Sequence, residues 1–141
     1  MTTGSTRPTA IEPDDGEAIG PLAMIHKVRS VWANDGLSIL EGVLGPRTLI
    51  PPHTHSREDE CSYVLEGQLT FDVGGSVVTV GPGSYILKPR GVFHAFWNAT
   101  EDPARVMEIH APGTFDAFHG ELATILSGHL AAEEQGPRSA S

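Results

Sequence analysis

Three histidines and one glutamate are the residues of this chain whose types and spacing could do chemistry. His53 and His55 are separated by one residue, Glu60 follows them closely, and His94 lies much further along the chain. Neutral imidazole nitrogens and a carboxylate oxygen are ligands that divalent transition metals take in proteins. The four side chains therefore predict a metal site.

The His-Thr-His segment has a geometry that follows from extended backbone. Successive side chains of a strand point to opposite faces, so His53 and His55 share a face, with Cα atoms roughly 6.5 Å apart. Pro51 and Pro52 precede them and disfavour a helix. We therefore expect both imidazoles to converge on one ion.

Each of these residues also has a structural interpretation. A single histidine in a strand is more often a core or edge residue than a ligand, but the four together favour a site built for metal. Glu60 opens the apolar run 61–65, and Cys61 should point away from the site, which excludes it as a ligand. His94 lies in a second β-type run, 92–97. Ligands so far apart require a closed or folded-over sheet.

Two stretches of the chain resemble the motifs of the cupin superfamily. The first is His53-Thr54-His55, then four residues, Glu60, six residues and Gly67; the second runs from Gly83 through the segment 89–91 and His94 to Asn98. The first motif of that family starts with a glycine six positions before the first histidine, where this chain has Arg47. The resemblance extends over about residues 20–112 and implies a small antiparallel barrel with His53, His55, Glu60 and His94 as metal ligands. It also implies one iron, manganese, nickel, zinc, cobalt or copper ion per chain, and a homodimer.

The pattern along the chain predicts an all-β fold, a sandwich or barrel followed by a C-terminal α-helix, and the resemblance implies that it is a single cupin-type antiparallel β-barrel or jelly roll. Short apolar runs with turn residues between them are typical of barrels and sandwiches. The predicted strands are 22–28, 37–44, 47–55, 60–65, 68–73, 77–80, 84–88, 92–97 and 105–110. Residues 1–19 are predicted as a flexible arm, 20–112 as the barrel domain, 113–130 as the helix and 131–141 as a disordered tail.

Composition limits the classes of partner. Nine lysines and arginines against 18 aspartates and glutamates give a net charge of −9, which argues against nucleic acid. Cys61 is the only cysteine, so an internal disulfide is excluded and a reducing compartment is favoured. No signal peptide or membrane-spanning run is evident. We therefore expect a soluble, cytoplasmic protein that does not act at a membrane.

Several residues near the motifs have roles that the sequence leaves open. Phe96 shares a face with His94 and is equally suited to a pocket wall and to the core. Glu108 lies within an apolar strand, where we expect it to face solvent; the alternative is a base or an anchor inside the barrel. Tyr63 and His26 are weaker candidates for polar groups in the cavity. Asn98 is expected to hydrogen-bond a loop.

The chemistry that we predict is that of an open metal site. Three imidazoles and one carboxylate leave one or two coordination positions for water, dioxygen or substrate, and Glu60 could leave the ion to act as a base. The motif segments are apolar, and Arg57, Lys88 and Arg90 are expected in turns, so an apolar or aromatic substrate suits the pocket better than a sugar phosphate. The resemblance makes a quercetinase-like dioxygenase the leading hypothesis. A metal-dependent isomerase, cyclase or decarboxylase, and a non-catalytic binding protein, are the alternatives.

Overall fold

The computed structural model describes residues 6–19 and 23–113 of the chain, and this part folds into two antiparallel sheets. The larger sheet has six strands in the order β1-β2-β3-β10-β5-β8, and the smaller has four in the order β4-β9-β6-β7. The strands are β1 Glu17–Ile19, β2 Ala23–Val28, β3 Ser38–Leu44, β4 Leu49–His53, β5 Asp59–Glu66, β6 Leu69–Val73, β7 Ser76–Val80, β8 Tyr85–Lys88, β9 His94–Trp97 and β10 Ala104–Ala111. A short 3₁₀ helix, Ser30–Ala33, connects β2 to β3.

The all-β fold predicted from the sequence is confirmed, and every predicted strand overlaps an observed one. The structure adds β1, which pairs antiparallel with β2 although its residues fell within the predicted arm. The predicted C-terminal helix and tail, apart from Gly113, lie outside the described residues. Within the residues that are described, no helix is long and apolar enough to cross a membrane.

Alternating side chains place one face of each central strand inside the barrel. In β10 the buried positions are Ala104, Val106, Glu108 and His110, and the residues between them are only partly buried. These inward positions change in character along the strand, from apolar at its start to polar at its end. The apolar end of the barrel holds the core residues Leu40, Leu44, Ile50, Val64, Leu69, Phe71, Phe96, Ala104 and Val106. The polar end holds the candidate site.

The turn before β4 keeps the backbone shape that a glycine would favour, although the residue is arginine. Arg47 has a φ of 58°, in the left-handed region. Its side chain forms an exposed ion pair with Glu101. The departure from the family's motif therefore leaves the left-handed conformation of this turn in place.

Gly67, the last residue of the first motif, is required by a close approach of two chain segments. Its φ is 78°, and a Cβ there would lie 2.7 Å from the carbonyl oxygen of Pro103 and 2.8 Å from the Cα of Ala104. Any side chain would collide with backbone. This glycine therefore allows the β5–β6 turn to pack beside the start of β10.

Asn98 ties together the loops at the apolar end, as the sequence predicted. Its side chain is completely buried. The amide nitrogen donates to the carbonyl oxygens of Leu44 and Asp102, and Oδ1 accepts from the backbone and hydroxyl of Thr100. Asn98 therefore has a structural role.

Candidate metal centre

The strand pairing brings the four predicted ligands together. His53 ends β4 and His94 begins β9, and the two residues are directly opposite each other in the smaller sheet. Glu60 is the second residue of β5 in the larger sheet and points inward. His55 lies just beyond the end of β4, so the segment 53–55 is extended only in part. Ligands from both sheets thus meet inside the barrel.

The distances between these side chains are those of a compact cluster. One ligand atom from each of His53, His55, Glu60 and His94 can be chosen so that all four atoms lie within 4.8 Å of one another. The ring centroid of His53 lies 5.1 Å from that of His55 and 4.4 Å from that of His94. His55, Glu60 and His94 are buried, and His53 is partly buried. The expected convergence of His53 and His55 is therefore observed.

Backbone carbonyls orient two of the histidines. Nδ1 of His53 lies 2.8 Å from the carbonyl oxygen of Pro51, and Nδ1 of His94 lies 3.3 Å from that of Val92. A proton on Nδ1 leaves Nε2 as the acceptor, and this arrangement is typical of metal-ligating imidazoles. Nε2 of His94 is buried and has no hydrogen-bond partner among the described residues. A buried Nε2 that carries a lone pair and no proton is suited to bind a cation.

The two oxygens of Glu60 face different groups. Oε1 lies 3.3 Å from Nε2 of His94 and 3.4 Å from Nε2 of both His55 and His110. Oε2 accepts a hydrogen bond from Nζ of Lys88 at 2.7 Å. Burial alone would raise the pKa of Glu60, but the Lys88 ammonium, and then His110, hold it well below its usual range. The carboxylate is therefore kept in the ionised form that ligation needs.

Lys88 was expected in a turn, at the end of the predicted strand 84–88. In the structure it is the last residue of β8 and is buried inside the barrel. Its backbone is opposite Glu60 in the register of β5 and β8. Its Nζ donates to Glu60 Oε2 and, at 2.9 Å, to Glu108 Oε1. The two carboxylates raise the pKa of Lys88 although burial by itself lowers it. The ammonium is therefore an internal counter-ion and not a surface charge.

Glu108 does not face solvent, so this prediction was wrong. Its side chain is 2% exposed and lies beside Ser62, whose hydroxyl donates to Oε1, and beside Lys88. Burial raises the pKa of Glu108 to about 7, although the Lys88 ammonium opposes this shift. The reason for the error is pairing: Glu108 is opposite Ser62 across β10 and β5, on the inward face. Its partners make burial possible.

Two further residues of the site were not singled out from the sequence. His110 is buried, pairs with Glu60 across β10 and β5, and places its ring 5.8 Å from that of His55. Glu58 is buried, and its Oε1 lies 3.8 Å from Nδ1 of His55. Strand alternation in β10 could have indicated that His110 points inward, because it places this residue on the same face as Val106. Glu58 belongs to the polar stretch 56–59, whose composition gives no signal of burial.

A pocket opens beside the cluster. Apolar side chains form one part of the wall and ionisable ones the other: Met24, Leu40, Ile50 and Phe96, then His53, Glu60, Glu108 and His110. Phe96 therefore serves as a pocket wall as well as a core residue, since it also stacks on Phe71.

The two weaker candidates for cavity residues do not line this pocket. Tyr63 points to the outer face of the larger sheet, where its ring lies 4.6 Å from that of Tyr85. His26 is buried in β2 with Nε2 3.0 Å from the carbonyl oxygen of Val28. Cys61, as expected, is absent from the cluster. The polar groups at the pocket therefore come mainly from β5 and β10.

The metal-free protein is expected to lose stability through His53 as the pH falls. Burial, and then His94, lower the pKa of His53 from 6.5 to about 4. Between these values the unfolded chain binds a proton that the folded chain does not, so the free energy of unfolding decreases from pH 6.5 towards pH 4 by about 3 kcal/mol. Urea unfolding over this range, compared with His53→Gln, measures the effect. Equal pH slopes for the two proteins would contradict it.

The chain is similar to known proteins in both sequence and structure. Residues 41–110 match the family model of the Cupin domain. Quercetin 2,3-dioxygenase of Bacillus subtilis is 26% identical over 125 residues, which cover 87% of this chain and 37% of that protein. Germin-like protein subfamily 2 member 2 of Arabidopsis thaliana is 32% identical over 149 residues, 95% of this chain and 60% of the relative. The chain thus spans about a third to three fifths of the length of these two relatives.

Solved structures share the fold. The structure of KdgF from a Halomonas species has a TM-score of 0.67 at 18% sequence identity. The alignment covers 78% of this chain and 98% of the KdgF chain. Salicylate 1,2-dioxygenase from Pseudoaminobacter salicylatoxidans has a TM-score of 0.54 at 26% identity, over 60% of this chain and 25% of its own. The alignment covers nearly the full KdgF chain, so the two proteins share the fold of the two sheets.

The donor set is suited to a divalent transition metal. Imidazole nitrogens and one carboxylate oxygen are supplied from two sheets, their atoms are close enough to share one ion, and the imidazoles of His53 and His94 are oriented through Nδ1. The ligand types do not select among the metals of this class, since affinity order and availability decide occupancy. The residues present therefore fit the metal that the fold implies.

Proposed function

Since the chain belongs to the cupin superfamily, we propose that it is a metal-dependent enzyme, a dioxygenase that acts on a small, largely apolar or aromatic substrate. The observation that carries this proposal is the position of the cluster: His53 and Glu60 line the pocket as well as the candidate metal site. A purely structural metal is enclosed by its ligands, whereas a catalytic one needs access to a reactant. The distant relationship to quercetin 2,3-dioxygenase supports the choice of dioxygenase chemistry.

The pocket wall supports the proposed substrate class. Met24, Leu40, Ile50 and Phe96 form an apolar surface opposite the ionisable groups. No arginine or lysine lines the pocket among the described residues, and the Lys88 ammonium beside it is already paired with two carboxylates. A phosphate or a second carboxylate on the substrate would therefore find no lysine or arginine to pair with, only the metal ion. A compact molecule with an apolar face and an oxygen donor fits best.

The residues of the site would have separate roles in metal binding and substrate binding. His53, His55, Glu60 and His94 would hold the ion, and Glu108 and His110 would contact the substrate from β10. A bound metal would supply Lewis-acid or one-electron chemistry at the mouth of the cluster. Glu108 Oε1 is occupied by Ser62 and Lys88, whereas Oε2 is buried without a hydrogen-bond partner among the described residues, so it can accept a substrate hydroxyl. The role of Glu60 as a base stays a prediction, and its lowered pKa favours ligation instead.

One observation favours a second candidate, an isomerase, cyclase or decarboxylase that uses no oxygen. Glu108 and His110 are ionisable, lie two residues apart on one face of β10 and both line the pocket. The pKa of Glu108, raised by burial to about 7, allows this carboxyl group to give or take a proton near neutral pH. Such a pair would serve proton transfer as readily as substrate binding.

Oxygen uptake separates the two candidates. The protein is purified without added metal, its metal content is determined, and forms loaded with iron, nickel, manganese or zinc are tested on hydroxylated aromatic and diketone compounds. Oxygen consumption with a redox-active metal and none with zinc is expected for a dioxygenase. Substrate conversion without oxygen uptake supports the second candidate. Stable metal binding without turnover of any compound indicates a non-catalytic binding protein.

We also propose that the folded domain predicted at residues 20–112 includes β1, which pairs with β2, and that the chain is a homodimer. The edge strand β8 supports this, because Tyr85 and Leu87 are 68% and 64% exposed on its outer face. An unpaired edge with apolar side chains is a surface that a partner would cover. Light scattering at micromolar concentration should give twice the mass of the chain, and a monomer mass rejects the dimer.

A further inference from the structure

Lys88 is one of two lysines in the chain, and it is almost completely enclosed by protein. Lysine is rarely buried unless it is paired. Its Nζ lies 2.7 Å from Glu60 Oε2 and 2.9 Å from Glu108 Oε1, and it also lies 4.7 Å from the ring centroid of Phe96. A cation over an aromatic face is attracted by the ring. The ammonium is therefore held by groups from three different strands.

This position of Lys88 separates the two oxygens of Glu60. Oε2 is taken up by the ammonium, and Oε1 faces the imidazoles of His55, His94 and His110. If Oε2 turned towards the histidines, the ion pair between Lys88 and Glu60 would break, and the buried ammonium would keep only Glu108 as its counter-ion. Charge-assisted hydrogen bonds of this length are among the stronger ones in proteins. Only Oε1 is therefore available to a cation between the histidines.

We infer that Lys88 is a positioning residue that restricts Glu60 to ligation through Oε1 and so keeps a coordination position open for a small exogenous ligand. This inference rests on the metal site of the proposed function. With one oxygen from Glu60 the protein provides four donor atoms, and with both oxygens it would provide five. An open position is what distinguishes catalytic sites from structural ones.

Glu108 makes a charge-conserving test possible. The buried group contains one ammonium and two carboxylates, from Lys88, Glu60 and Glu108. The double substitution Lys88→Met with Glu108→Gln removes one positive and one negative charge and leaves Glu60 as it is. The measurement is made at about pH 8, above the pKa of about 7 for Glu108. Glu108 then carries its negative charge in the wild-type protein, so the wild-type protein and the double variant have the same net charge. A changed metal site then reports the freed Oε2 and not a changed local charge.

The experiment uses Co²⁺ as the probe and azide as the exogenous ligand. The visible absorption of bound Co²⁺ depends on coordination number, and its bands weaken as that number rises. For the wild-type protein we expect strong bands that change on addition of azide. For the double variant we expect weaker bands and an azide affinity lower by at least about tenfold, because Glu60 Oε2 fills the open position.

Lys27→Met is the matched control, because it is the same chemical change at the other lysine. Within the part of the chain that the structure describes, Nζ of Lys27 donates hydrogen bonds only to the backbone carbonyl oxygens of Glu12, Pro13 and Asp15. This variant should keep the wild-type spectrum and azide affinity. Circular dichroism establishes that each variant is folded before the spectra are compared.

A crystal structure of the Co²⁺-loaded wild-type protein decides the question if the double variant does not fold. One Glu60 oxygen on cobalt, with Lys88 on the other, supports the inference; both oxygens on cobalt overturn it. A folded double variant with an unchanged spectrum and azide affinity also overturns it, while the proposed metal site stands. If the wild-type protein takes up no Co²⁺, the proposed function and this inference fail together.

Discussion

Replacement of Glu60 with glutamine is expected to lower the affinity of the protein for Co²⁺ or Zn²⁺ by at least about 100-fold. The amide removes the only negative charge that the predicted ligand set provides, and its nitrogen would face either the Lys88 ammonium or the imidazoles. Next to the ammonium an N–H donor is repelled, and next to the imidazoles it hydrogen-bonds the Nε2 lone pairs that a metal would need. Isothermal titration calorimetry with the metal-free protein measures the loss directly.

Cys61→Ala is the control for this measurement. Cys61 is the next residue of β5, lies on the opposite face of the strand and is not part of the cluster. Its substitution should leave metal affinity within about twofold of wild type. If Glu60→Gln binds metal as tightly as Cys61→Ala, the four predicted side chains are not the ligands.

Lys88→Met alone is expected to destabilise the metal-free protein by about 3–5 kcal/mol. Methionine fills nearly the same space, so the loss comes from charge: Glu60 Oε2 and Glu108 Oε1 remain buried without their common cation. Removal of one partner of a buried ion pair costs more than removal of the whole pair. Urea unfolding at about pH 8, above the pKa of about 7 for Glu108, followed by far-ultraviolet circular dichroism, gives the change in free energy.

Addition of Glu108→Gln should restore part of this lost stability. The double variant leaves one buried carboxylate uncompensated instead of two, so its unfolding free energy should lie between those of Lys88→Met and wild type. Lys27→Met, at the partly exposed lysine of β2, should cost much less than Lys88→Met. Equal losses for the two lysine variants would show that Lys88 contributes little as a buried counter-ion.

The sequence was sufficient where the signal is local. Strand alternation separates Glu60 from Cys61, and the prolines before His53 mark extended chain, so these placements follow from residues close together. Asn98 was also placed correctly, because a buried amide at a loop needs hydrogen-bond partners. Such inferences need no knowledge of which strands pair.

Local signals failed for the residues whose environment depends on pairing. Glu108 was expected at the surface because a charge in an apolar strand is costly when buried. Its partners, Ser62 and Lys88, come from β5 and β8, and only the sheet order shows that these strands meet β10 on the same side. His110 becomes part of the site through the same register, since it is opposite Glu60. Buried charges are thus the least predictable part of such a site.

The change from apolar to polar inward side chains along β10 determines which substitutions this protein can tolerate. β10 supplies Ala104 and Val106 to the apolar core, then Glu108 and His110 to the pocket. A substitution at the pocket end that keeps the apolar wall and the buried ion pairs of Lys88 leaves most of the folding energy, which comes from apolar burial, unchanged. New reactivity can therefore arise by exchange of a few inward residues near one rim, while the opposite rim maintains the scaffold.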